Sequence, residues 1–194
     1  MIYGIGRNYA DHAKELGNAS SSTLGSPIVF FKPDAAIVQS GGTVKLPGFS
    51  TDVHYEVELA FRFGPKLEVS EICVANDLTA RDKQREAQAS KSPWGLAKGF
   101  KQSCGIGPWV KAQGHELQNL ELRLTVNGVL KQKGHTRDMI FNVETLAHYL
   151  RENFPVVPGD ICLTGTPSGV GPLQAGDKVV AEIVGVSQAH WQYA

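Results

Sequence analysis

This 194-residue chain carries no excess charge of either sign, since 19 lysines and arginines are matched by 19 aspartates and glutamates. Nucleic acids and anionic membranes both select a basic surface, so neither is expected as a partner. Cysteine is scarce as well. Cys73, Cys104 and Cys162 are scattered, odd in number and form no CxxC pair, which argues against a disulfide-stapled secreted scaffold. No apolar run approaches membrane-spanning length. The opening Met1-Ile2-Tyr3-Gly4 lacks the basic-then-apolar profile of a signal peptide, so a reducing cytoplasm is the expected location. Internal repeats and low-complexity stretches are missing too. The length suits a single domain, residues 1–194, with a core that needs no staples.

Glycine (21) and proline (10) are plentiful and spread along many short apolar runs, a pattern of strands and turns rather than a helical bundle. Strands are expected over residues 1–6, 27–33, 54–61, 73–79, 120–126, 161–164 and 178–183. Asn127-Gly128 suits a type I′ hairpin turn after residue 126. Helices are expected over residues 8–17, with Asn8 as N-cap and Gly17 just past the end, after residue 79 to about Ala89, and over residues 142–151. Strands and helices do not alternate regularly, so the fold class is α+β and mostly β.

Within His54-Tyr55-Glu56-Val57-Glu58-Leu59-Ala60-Phe61 the alternation puts Glu56 and Glu58 on one strand face, ~7 Å apart along the strand. Asp77 comes from another β-like run and joins them only if the two strands lie close. Like charges on one face repel, and a cation relieves the repulsion. Carboxylate oxygens are hard ligands, which favours Mg²⁺, Mn²⁺ or Ca²⁺ over zinc. A bare Glu-x-Glu is ordinarily a solvated strand face, and His54 shares this face as an alternative ligand. Gly4-Ile5-Gly6 and Gly105-Ile106-Gly107 imitate fragments of a dinucleotide loop, but neither has the third glycine within a βαβ unit, so neither is read as a nucleotide site. His12 and Glu15 fall at i, i+3 on the first expected helix and share a face. Lys98 lies in an apolar, small-residue context.

Seven segments in order resemble the fumarylacetoacetate hydrolase family: GRNYADHAKE (6–15), FFKP (30–33), HYEVELA (54–60), VANDLTARD (74–82), PWGLAKGF (93–100), VNG (126–128) and LTGTPSGVGP (163–172). They span nearly the whole chain and are most similar to the small, single-domain members. The resemblance implies a mixed, multi-layer β-sheet roll with a few short helices, a homodimer, and a Mg²⁺ or Mn²⁺ ion on Glu56, Glu58 and Asp77. It implies a catalytic His12/Glu15 pair on a mobile lid, extending into the Ser/Gly-rich residues 18–26, and a catalytic Lys98. Arg7, Lys32, Arg81, Gln84 and Thr166 fall on substrate-binding positions. The implied activity is hydrolysis of an acylpyruvate, such as fumarylpyruvate, to pyruvate and a carboxylic acid. Decarboxylation or keto–enol tautomerisation of oxaloacetate at the same site is the alternative. One departure stands out: between Gly64 and Cys73 the chain is shorter than family members, just upstream of Asp77.

Overall fold

The computed structural model describes residues 1–11 and 25–194. The expected first helix and lid, with His12 and Glu15, lie mostly outside the described residues. Among those described, the chain forms three curled β-sheets and few helices.

The largest sheet begins with β1 (Ile2–Gly6), β2 (Ile28–Lys32) and β3 (Ile37–Gln39). It continues with β6 (Val57–Phe63), β7 (Val69–Asp77), β9 (Cys104–Ile106), β10 (Val110–Lys111) and β13 (Ile161–Leu163). Its order is β2-β1-β13-β6-β7-β9-β3, with β10 also on β7. Every residue of β6 but Arg62 is buried, so both faces of this strand are covered. A second sheet runs β12 (Val129–His135), β11 (Glu121–Val126), β15 (Lys178–Ile183), β16 (Ser187–Tyr193) and β4 (Thr43–Val44). Burial alternates along β11, β15 and β16, the mark of a sheet packed on one face only. Leu122, Leu124, Val179, Ala181, Trp191 and Tyr193 from that face join Leu59, Phe61 and Val74 in one core. The third sheet is small: β14 (Gly171–Pro172), β5 (Val53–Tyr55) and β8 (Thr79–Ala80).

Three helices are named here. α1 (Arg81–Ala89) is polar, and its buried residues are Arg81 and Gln84, one turn apart on the inward face. α2 (Gly95–Lys98) is a single turn ending on Lys98. α3 (Val143–Asn153) buries Val143, Leu146, Ala147 and Leu150, and the Asn142 side chain caps it by accepting from Thr145 N at 2.8 Å.

The expected strands and the second and third helices are present. Asn127 and Gly128 both take positive φ, 52° and 80°, as the type I′ turn requires. β16 is an addition: Ala189, Trp191 and Tyr193 alternate inward against Gln188, His190 and Gln192, a period-two signal that the sequence reading passed over.

The short stretch after Gly64 does not displace Asp77. β6 and β7 are joined by a tight turn in which Leu67 N bonds to Gly64 O and Gly64 N to Glu68 O, both at 2.9 Å. From there the antiparallel register runs through Glu58 opposite Ala75 to Val57 opposite Asn76, which brings the end of β7 beside Glu56.

Candidate metal centre

Glu56 sits where the chain passes from β5 in the small sheet to β6 in the large one. Its backbone N–H donates to Asn76 Oδ1 at 2.9 Å, and its carbonyl accepts from Asp77 N at 2.9 Å. These two bonds tie the sheet crossover to the end of β7. Glu58 follows two residues on, and its Oε2 accepts from Gly165 N at 2.6 Å. The ligand atoms of Glu56, Glu58 and Asp77 all lie within 4.8 Å of one another, and all three residues are buried. The strand period and the β6–β7 pairing together make this cluster. His54 is not part of it, because its Nε2 lies 2.8 Å from Asp52 Oδ1.

Three buried cations surround the carboxylates. Arg81 donates to Glu56 through one guanidinium nitrogen and to Gln84 Oε1, at 2.6 Å, through another. Lys98 Nζ is 2.5 Å from Asp77 Oδ2, 2.8 Å from Glu56 Oε2 and 2.6 Å from Thr79 Oγ1. Burial disfavours the Lys98 ammonium, but the Asp77 and Glu56 carboxylates outweigh it and hold its pKa above the ordinary value. The Phe30 ring lies 4.6 Å from Nζ and packs over Gly4, where any side chain would collide with it. Gly4 is therefore a packing glycine, in keeping with the rejected nucleotide reading.

Lys32 lies apart from the other expected substrate-binding residues. It is fully buried, and it does not line the cleft in front of the carboxylates. Its Nζ donates to the carbonyls of Leu78 (3.1 Å), Ser103 (2.8 Å) and Lys98, and lies 2.8 Å from Asp77 Oδ1. Pointing inward at the end of edge strand β2, it lies against Asp77 and the Lys98 carbonyl. Burial pushes its pKa down, against the pull of Asp77.

Glu58 has no cationic side chain bonded to it among the described residues. Burial, then Asp77 and Glu56, push its carboxyl well above the usual range, against Lys98 and the Gly165 amide. All three Lys32 protons go to carbonyl oxygens, so Asp77 Oδ1 is a buried acceptor without a hydrogen bond. Three buried carboxylates thus have ligand atoms within 4.8 Å of one another, one of them with no cationic side chain bonded to it among the described residues. They make a hard-oxygen donor set that fits a divalent ion.

A cleft opens over these groups. Its walls include Ile5, Arg7, Gln84, Gln88, Trp94 and Thr166, so of the expected substrate-binding residues it brings Arg7, Arg81, Gln84 and Thr166 together. The Thr166 hydroxyl donates to Val57 O and accepts from Gln132 Nε2, each at 2.9 Å. Gln132 and Asn76 carry no sequence signal, and the Asn8 side chain, expected as an N-cap, instead bonds Phe141 and Thr164. Gln132 is buried, accepts from Val57 N at 2.8 Å and donates to Pro167 O at 2.9 Å, clamping β6 to the loop after β13. A single buried amide has no spacing to betray it.

The pattern of the fumarylacetoacetate hydrolase C-terminal family matches residues 1–191. A mitochondrial oxaloacetate tautomerase from Arabidopsis thaliana is 42% identical, over 98% of this chain and 89% of its own length. A mitochondrial oxaloacetate decarboxylase from Dictyostelium discoideum is 40% identical over 95% and 89%. The crystal structure of a Pseudomonas aeruginosa fumarylpyruvate hydrolase in complex with Mn²⁺ and pyruvate superposes with a TM-score of 0.92 at 30% identity, covering 100% of this chain and 88% of that one. The cytoplasmic expectation gains no support from the two mitochondrial relatives. No helix among the described residues is long and apolar enough to cross a membrane. With a match over almost its full length and relatives of this similarity, the chain belongs to the fumarylacetoacetate hydrolase family.

Proposed function

We propose that the chain is a divalent-metal enzyme of small 2-oxo acids whose main reaction is keto–enol tautomerisation of oxaloacetate. The observation that carries this reading is the buried Glu56/Glu58/Asp77 cluster with the charged Lys98 against it. The choice of oxaloacetate rests on relatives about 40% identical, named as oxaloacetate tautomerase and decarboxylase. Acylpyruvate hydrolysis, the activity favoured on sequence, becomes the second reading, supported by the likeness to fumarylpyruvate hydrolase at 30% identity. One catalytic domain spanning residues 1–194, acting as a homodimer, belongs to the same proposal.

Glu56, Glu58 and Asp77 would hold the ion, with Mg²⁺ or Mn²⁺ preferred and Ca²⁺ compatible with the donors. When bound, it supplies a Lewis acid that stabilises negative charge developing on the 2-oxygen. Lys98 adds positive charge beside the same oxygen. Its Nζ already donates to Asp77, Glu56 and Thr79, so it is assigned an electrostatic and hydrogen-bonding part. A proton leaves C3, the electron pair moves to the 2-oxygen, and protonation there gives the enol. The base for C3 is assigned to the His12/Glu15 pair on the strength of the family resemblance. Lys32, Arg81 and Gln132 act indirectly, holding Asp77, Glu56 and the Thr166 loop in place.

The test compares three substrate outcomes on one Mg²⁺-loaded preparation. Enol disappearance and C3 hydrogen–deuterium exchange report tautomerisation, CO₂ release reports decarboxylation, and pyruvate from fumarylpyruvate reports hydrolysis. Tautomerisation is expected to have the highest kcat/KM. A higher kcat/KM for fumarylpyruvate cleavage would replace the first reading by the second.

A further inference from the structure

Resting on the proposed 2-oxo acid chemistry, we infer that Arg7 is a specificity residue that binds the second carboxylate of a dicarboxylic 2-oxo acid. The other cations of the site among the described residues are committed. Arg81 is divided between Glu56 and Gln84, Lys98 among Asp77, Glu56 and Thr79, and Lys32 is directed at three carbonyls behind Asp77. Arg7 lines the cleft, half-buried, and pairs with no acid among the described residues.

Its backbone is also held in an unusual state. Arg7 has φ 60°, in the left-handed region that a non-glycine residue rarely occupies without support. The support is next door. The buried Asn8 side chain accepts from Phe141 N at 2.8 Å and donates to Phe141 O at 2.9 Å and Thr164 O at 2.8 Å. On the other side the Gly6 backbone lies so close to Trp94 that an added Cβ would come within 3.1 Å of its ring. The chain is pinned on both sides of Arg7, at the cleft.

A 2-oxo acid presents its carboxylate and 2-oxo oxygens to the metal end of the site. Any second negative charge on the substrate must then find a cation that the three carboxylates have not already taken. A guanidinium matches a carboxylate with two parallel hydrogen bonds, which makes Arg7 suited to that group. A dianion also balances the charge of a divalent ion, which a monoanion does not.

Oxaloacetate and 2-oxobutanoate test this, because they differ by a carboxylate in place of a methyl group at the far end. Binding to the Mg²⁺-loaded protein is measured by thermal shift, and C3 hydrogen–deuterium exchange by NMR, for wild type, Arg7→Gln and Arg7→Lys. Arg7→Gln is expected to weaken oxaloacetate binding and raise its KM roughly 10- to 100-fold, the range for a lost charged hydrogen bond. The same change should leave 2-oxobutanoate and the Mg²⁺ affinity within about twofold, with Arg7→Lys intermediate. Equal losses for both substrates, or none for either, would overturn the inference. If wild type exchanges neither substrate yet binds oxaloacetate through Arg7, the proposed function falls and the inference stands.

Discussion

Glu58→Gln is expected to lower divalent-ion affinity by more than the roughly 10- to 100-fold that losing an outer-shell partner costs, and to remove turnover with it. The substitution keeps an oxygen for the Gly165 amide, so loss of the charge is the principal change. Its effect on stability has the opposite sign. Burial, Asp77 and Glu56 raise the Glu58 carboxyl well above its ordinary 4.5 in the folded protein. A carboxyl raised on folding contributes stability that is fully present below about pH 4.5 and is lost as pH rises through the folded value. At pH 8 the metal-free wild type therefore carries a group that opposes folding, and the glutamine variant does not. The ion has to displace the Glu58 proton, so Mg²⁺ should bind wild type more tightly at pH 8 than at pH 6. Calorimetric Mg²⁺ titrations and melting curves at both pH values check this. A glutamine variant that binds Mg²⁺ like wild type would remove Glu58 from the ligand set.

The second large effect is at Lys98. Lys98→Met keeps the length of the apolar stem and removes the ammonium. Turnover should fall roughly 10²- to 10³-fold, the usual loss for one donor aimed at developing negative charge. Metal affinity should not fall with it. The ammonium sits against Glu56 Oε2 and Asp77 Oδ2, where it competes with any other cation for those oxygens. Removing it leaves two buried carboxylates short of positive charge, which lowers the stability of the ion-free protein and strengthens the ion's hold. Mg²⁺ should accordingly raise the melting temperature of Lys98→Met by more than it raises that of wild type. Loss of Mg²⁺ binding together with turnover would make Lys98 a structural support for the carboxylates instead.

How far these groups could be read from the sequence varies with the kind of signal each leaves. Alternation in HYEVELA placed Glu56 and Glu58 on one side, and that holds even though the strand is interrupted at Glu56. Bringing Asp77 to them needed the β6–β7 register, which no local pattern states and which the short join obscured. Lys32 was matched by motif to a substrate position. Motif position says nothing of whether the last residue of an edge strand points into the cleft or beneath it. Arg81 and Gln84 were legible as a pair, because i, i+3 spacing on a helix puts them on one face. Asn76 and Gln132 were not, since each works alone by satisfying backbone groups from a distant segment. The strand β16 was legible in its alternation and was missed for want of flanking turn signals as clear as Asn127-Gly128.

The turn at residues 64–68 carries a practical consequence. Pro65, Lys66 and Glu68 are exposed, and Phe63 stands five steps along the strand, roughly 17 Å, from Glu58. Below an irregularity between Arg62 and Phe63, the hairpin register runs unbroken from Arg62 opposite Glu71 to Val57 opposite Asn76, so extra chain at its tip has little leverage on its base. That makes the tip a natural insertion point for a reporter, such as a short fluorophore-binding peptide between Lys66 and Leu67. Such a fusion would label the molecule while leaving the carboxylate end of the hairpin free to take up its ion.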